Sequence, residues 1–121
     1  MGRPGTMTDR PPVLVTGVPS SPGQARGPAR LMRSVDDFAR MRPGDVLVCR
    51  TTDPAWTPLF RLAAAVVTET GGLLSHAAIV AREYRIPAVV GAAHAMSQLD
   101  DGTPVCVDGT LGTVTAANGT P

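Results

Sequence analysis

One stretch near the middle of the chain limits what the whole can build. Ala65-Val66-Val67-Thr68 is a short apolar run that reads as a buried strand, and Ile86-Pro87-Ala88-Val89-Val90-Gly91 reads as another. Between them stand Gly71-Gly72 and then an alanine-rich helical stretch, from Ser75-His76 through Ala77-Ala78-Ile79-Val80-Ala81 to Arg82-Glu83. Strand, glycine loop, helix and strand in that order commit the centre of the chain to an α/β arrangement. The flanks add further strands. Val13 to Val18 and Gln24 to Arg33 are expected on either side of a Ser-Ser-Pro-Gly turn, and Asp45 to Arg50 follows Pro43-Gly44. Thr103 to Val107 pairs with Thr113 to Ala116 across Asp108-Gly109. Short helices are expected from Val35 to Met41 behind a Ser34 cap, around Trp56 to Leu62, and from His94 to Leu99. Hairpins at both ends and strand–helix alternation in the middle predict an α/β fold with a mixed sheet and short flanking helices.

Size and charge exclude several classes. A chain of 121 residues is one domain long and buries a real core. Its net charge is +1, so neither a nucleic-acid nor a membrane-surface footprint is present. All 11 basic residues are arginine, which rules out a lysine-dependent phosphate loop or Schiff base. Cys49 and Cys106 lie in apolar strand-like runs and read as small buried hydrophobes, with no metal-ligand spacing around them. No signal peptide or membrane-length apolar run is visible, and a cytoplasmic protein is expected. Residues 1–12, rich in Gly, Pro, Thr and Arg, read as a disordered leader, with a second methionine at Met7. Residues 13–117 form the domain and 118–121 a tail.

The chemistry gathers at His76. A lone histidine beside an apolar helix is ordinarily a packing residue; its place behind Gly71-Gly72 at a helix start makes it a candidate. A helix N-terminus offers unpaired N–H groups and partial positive charge, which suit an anion. A neutral imidazole there can act as a nucleophile toward phosphorus. Gly71 and Gly72 have two compatible readings, a tight turn at positive φ and a gap through which a phosphate approaches the ring. Ser75 is placed to cap the helix or to touch a phosphoryl group. Thr68, ending the preceding strand, is placed to position the imidazole or the phosphate, or is a plain strand threonine. Arg82 lies off the His76 face and reads as part of a solvated or interface ion pair with Glu83. Trp56 is a core or docking anchor, and His94 a surface histidine.

These residues carry a resemblance. Gly17-Val18-Pro19-Ser20-Ser21-Pro22-Gly23 with Gly27, Arg42-Pro43-Gly44-Asp45, Thr52-Asp53-Pro54-Ala55-Trp56-Thr57-Pro58, the Gly71–Glu83 motif and Val107-Asp108-Gly109-Thr110 stand in one order. Together they resemble the mobile, or swivelling, phosphohistidine domain of the phosphoenolpyruvate-utilising enzymes. The resemblance implies the swivelling β/β/α architecture. It also implies that Nε2 of His76 becomes phosphorylated while Nδ1 is oriented by a hydrogen bond. Two departures stand out. Leu74 occupies a position where several members carry threonine, and Arg85 one where their helices often end in glycine. A left-handed Arg85 would cost about 1 kcal/mol.

Relay chemistry is what the resemblance implies. A carrier of this kind takes a phosphoryl group from ATP or phosphoenolpyruvate and delivers it to an acceptor held by a separate protein. The expected partners are a separately encoded ATP-grasp, dikinase-type nucleotide-binding protein, a phosphoenolpyruvate-binding protein, or both. The domain itself is expected to bind no cofactor, Mg²⁺ and the donor residing on the partner, and to show no turnover alone. Two alternatives stay open: a regulatory or scaffolding subunit that keeps the fold with His76 unmodified, and the small subunit of a hydro-lyase, since swivelling domains occur there too.

Overall fold

The computed structural model describes residues 11–117. The expected tail, and the expected leader except Pro11 and Pro12, lie outside the described residues. Pro12 is exposed, and its carbonyl accepts a hydrogen bond from the Ala116 amide.

Eight strands form one mixed sheet. In chain order they are β1 (Val13–Thr16), β2 (Val18–Ser21), β3 (Gln24–Met32), β4 (Val46–Cys49), β5 (Ala65–Thr68), β6 (Ala88–Val90), β7 (Pro104–Asp108) and β8 (Thr113–Ala116). Their spatial order is β1-β8-β7-β3-β4-β5-β6-β2. β3, β4, β5 and β6 run parallel to one another, and every other pairing is antiparallel. The nine-residue β3 joins the two regions: Gln24–Pro28 pairs with β7, and Ala29–Met32 with β4. The helices are α1 (Thr57–Phe60), α2 (His76–Tyr84) and α3 (Ala95–Gln98), with 3₁₀ turns at Val35–Arg40 and Pro54–Trp56. Ser34 and Asp53 cap those turns through their side chains.

Two cores follow from strand alternation. On β4, Leu47 and Cys49 face a core shared with Phe60, Ala77, Ala78 and Ala81 of the helices. Val46 and Val48 face the opposite way, toward Val105, Val107 and Val114 of the outer strands. β5 divides likewise, with Val66 toward the helices and Ala65 and Val67 toward the outer strands. Strands covered on both faces need apolar residues at every position, which is why β4, β5 and β6 read as unbroken hydrophobic runs. The layering is strands on strands on helices, the expected β/β/α arrangement.

The N-terminal hairpin does not form. The run expected as one strand, Val13 to Val18, breaks at Gly17. β1 pairs with β8 and β2 with β6, at opposite ends of the strand order. A Cβ at Gly17 would sit 2.5 Å from the Val90 carbonyl oxygen, and its amide is held by the Gly112 carbonyl. Only glycine lets the chain cross between layers so close to another backbone. At the other end the β7–β8 hairpin forms as expected, Cys106 facing Thr115 and Val107 facing Val114. Cys106 is half-buried rather than buried, because its neighbours Val105 and Val107 take the inward positions of β7.

Candidate functional site

Parallel strands deliver their carboxyl ends to one edge, and the connections leaving those ends form the site. Arg50, Thr51 and Thr52 leave β4, Glu69 and Thr70 leave β5, and Gly91 leaves β6. Backbone hydrogen bonds knit these exits together: the Thr70 amide donates to the Arg50 carbonyl, Ala92 to Thr68, and Glu69 to Cys49.

His76 is the first residue of α2, half-buried at that edge. Its ring stands perpendicular to the fully buried ring of Phe60, centroids 6.1 Å apart. Nδ1 lies 2.8 Å from the hydroxyl of Thr52, a residue 9% exposed. One ring nitrogen is therefore engaged, and no hydrogen bond within the described residues engages Nε2. In the tautomer with the proton on Nδ1, the Thr52 oxygen accepts and the Nε2 lone pair is free.

Thr52 was not singled out by sequence reasoning. The signal was present, since Thr52 opens the Thr-Asp-Pro-x-Trp-Thr-Pro segment. Nothing local, however, shows that a residue 24 positions before His76 meets its ring. Thr68, the threonine that was singled out, is buried at the end of β5. Its hydroxyl donates to the Thr70 carbonyl at 2.7 Å and is not a partner of His76.

The glycine loop divides its two roles between its two glycines. Gly71 adopts φ +105°, and a Cβ there would fall 2.9 Å from Ser75 Oγ. Gly72 has no such φ, and a Cβ on it would meet nothing within 4 Å. The turn requires Gly71, while the space above Gly72 is open. Ser75 is the N-cap of α2: its hydroxyl oxygen accepts from the Ala78 amide, and its proton goes to the Gly72 carbonyl at 2.8 Å.

Arg82 differs from the ion pair expected of it. Its guanidinium donates to two backbone carbonyls, Ser20 at 2.9 Å and Leu73 at 2.6 Å, and so ties the glycine loop to the end of β2. A guanidinium offers five donors in a fixed fork, and here two backbone segments outbid the neighbouring Glu83. Glu69, given no role from sequence, accepts from the Met96 amide at 2.8 Å near the start of α3. Trp56 is buried with its ring edge-on to Phe38, so it is a core residue. His94 is exposed. Leu73 and Leu74, in the loop before His76, are 53% and 85% exposed, and Ile79 one turn along α2 is 42% exposed.

The family model and the relatives of high identity point to one family. The model described as the mobile domain of PEP-utilising enzymes matches residues 41–112. An uncharacterised phosphotransferase of Bacillus subtilis, YvkC, is 49% identical over 104 residues, covering 86% of this chain and 12% of that protein. The phosphoenolpyruvate synthase of Aeropyrum pernix is 52% identical over 105 residues, covering 86% of this chain and 13% of that protein. Among solved structures, that of Enzyme I (nEIt) superposes with a TM-score of 0.58 at 34% identity. It covers 66% of this chain and 33% of that one. The chain thus spans only about an eighth of the length of YvkC and of the phosphoenolpyruvate synthase.

Proposed function

The chain belongs to the family of PEP-utilising enzyme mobile domains, and on that premise we propose that it is a phosphohistidine carrier, with Nε2 of His76 as the accepting atom. One observation carries the reading: the Thr52 hydroxyl holds Nδ1 and leaves Nε2 free at the N-terminus of a nine-residue helix. In the transfer, the Nε2 lone pair forms the N–P bond as the donor's P–O bond breaks. The bonding electrons leave on the donor oxygen, and the proton stays on Nδ1, shared with Thr52. The dianionic group then sits against the positive end of the helix dipole. Delivery reverses these steps onto the second acceptor.

The carrier acts with a separate ATP-grasp or phosphoenolpyruvate-binding partner, in the cytoplasm. Among the described residues no three His, Cys, Asp or Glu side chains gather into a metal-holding group. Magnesium, in this proposal, accompanies the nucleotide on the partner. No helix among the described residues is long and apolar enough to cross a membrane.

Intact-mass spectrometry at alkaline pH tests the reading. The chain is incubated with a candidate partner and either Mg-ATP or phosphoenolpyruvate, with His76→Ala in parallel. The expected result is an acid-labile gain of one phosphoryl group, absent from the variant, and the productive reagent identifies the donor. No gain with any partner and either donor favours a scaffolding role.

A further inference from the structure

The loop in front of His76 is held firmly at both ends and thinly in the middle. Gly71 has its positive φ, and a Cβ on Gly91 would lie 3.0 Å from the Gly71 carbonyl oxygen. The Gly72 carbonyl accepts from both the Ser75 amide, at 3.0 Å, and the Ser75 hydroxyl, at 2.8 Å. Between Gly72 and Ser75, Leu73 and Leu74 expose their side chains. Among the described residues, one hydrogen bond joins either of them to the rest of the fold, the 2.6 Å bond from the Arg82 guanidinium to the Leu73 carbonyl. Arg82 stands six positions beyond His76, a rise of about 9 Å along α2. It reaches back because helical side chains lean toward the N-terminus. It lies off the His76 face, so its effect on the imidazole passes through the loop.

The other anchor of Arg82 is a bulge. The register of β2 on β6 pairs Pro19 with Val89 and Ser21 with Ala88, and skips Ser20. A bulged residue is left out of the ladder, and here Arg82 takes the Ser20 carbonyl at 2.9 Å. The turn just beyond is pinned as well: the Gly109 amide donates to the Gly23 carbonyl, and the Gly23 amide to the Thr110 hydroxyl. One planar fork thus joins the least supported part of the loop to a well-anchored strand end. We propose that Arg82 is a positioning residue for phosphoryl acceptance. By spanning the Ser20 and Leu73 carbonyls it holds the Gly71–Ser75 loop in the conformation that keeps Ser75 on the start of α2 and the space over Gly72 open. A donor then meets the imidazole in one geometry, which is where the rate of a transfer is won or lost. The proposal rests on the acceptor reading of His76 and adds to it the group that orders the approach.

Three variants of the full chain test this. Arg82→Gln removes the fork and the charge, and Arg82→Lys keeps the charge without the planar fork. Arg85→Gln removes an equal charge from an exposed neighbour that shares a cleft with Ser21, Pro22 and Arg82 and makes no side-chain hydrogen bond among the described residues. Single-turnover phosphorylation is followed over a range of partner concentrations, with amide hydrogen exchange across residues 71–75 and urea denaturation alongside. Both Arg82 variants should lower the maximal rate about tenfold or more. The partner concentration for half-maximal rate should hold, exchange at Leu73, Leu74 and Ser75 should quicken, and Arg85→Gln should keep the original rate. Full rate in Arg82→Lys would make charge the cause and overturn the positioning role. So would a change confined to the half-maximal partner concentration, or a rate that falls only in proportion to the unfolded fraction. An unaltered chain that is phosphorylated no faster than Arg82→Gln overturns the proposal alone. An unaltered chain that takes up no phosphoryl group overturns the acceptor reading, and the proposal with it.

Discussion

The 2.8 Å contact between Thr52 and His76 does two jobs, and substitution separates them. It fixes the ring, so Thr52→Val should slow phosphorylation of His76 about tenfold, equivalent to about 1.4 kcal/mol and typical of one neutral hydrogen bond. Thr52→Ser should restore most of the rate, as quench-flow labelling would show; equal rates in all three would remove Thr52 from the mechanism. The contact also satisfies a buried hydroxyl. His76 read as an exposed residue predicts that His76→Ala changes stability by under about 1 kcal/mol. With Thr52 buried and Phe60 packed against the ring, the expected loss is instead about 1–3 kcal/mol in urea denaturation. Adding Thr52→Val should cost less than the sum of the two single changes, because the orphaned hydroxyl is then gone.

Within the loop and helix, the two glycines make opposite predictions. Gly71→Ala forces a side chain into positive φ and against Ser75, and should destabilise by about 1–2 kcal/mol. Gly72→Ala meets no atom in this chain and should leave stability within about 0.5 kcal/mol. If the donor passes over Gly72, the same variant should still slow phosphoryl transfer. An unchanged transfer rate would show that the space is not used. At the far end of α2, Arg85 adopts φ 59°, ψ 41°, and the Ile86 amide bonds back to the Ala81 carbonyl at 3.0 Å. The left-handed cap expected at that position is kept in spite of its side chain. Arg85→Gly should therefore stabilise the protein by about 1 kcal/mol, read as a shift in the urea midpoint at unchanged m-value.

Across the molecule, the stability of the layered fold depends on acid through a few carboxylates. Asp37 is held below the ordinary aspartate value of 3.8 chiefly by the Arg33 amide. For Asp101, burial pushes the pKa up, but hydrogen bonds from the Leu31 amide and Arg40, with the nearby Arg30 charge, outweigh it and leave the group below 3.8. A carboxylate lowered by folding contributes stability that is complete above its unfolded value and is lost as pH falls through its folded value. The melting temperature should accordingly hold near neutrality and fall below about pH 4. Asp101→Asn should lower it at pH 7 and shrink the drop on acidification; an unchanged drop would assign the acid sensitivity elsewhere. Burial, helped by the Glu69 charge, pushes the Cys49 thiol up to about 12. Alkylation of Cys49 by iodoacetamide near pH 8 should therefore proceed only through unfolding, whereas labelling of the native chain would mean local opening of β4.

Residue order alone determined the elements whose causes are local. Apolar runs made β4, β5 and β6, Ser34 and Ser75 made helix starts, and Gly71-Gly72 marked the turn before His76, all from interactions within a few residues. Those same residues, in order, carried the family resemblance and with it the choice of His76 as the candidate acceptor. Tertiary structure decided what depends on contacts between distant positions. Whether Val13 to Val18 is one strand or two turned on the Val90 backbone beside Gly17. Which threonine holds the imidazole turned on the packing of the β4 exit against α2, which brings Thr52 rather than Thr68 to Nδ1. The partners of Arg82 turned on where β2 ends. A hydrogen bond forms with whatever donor or acceptor the fold brings within about 3 Å, and sequence separation does not enter that distance.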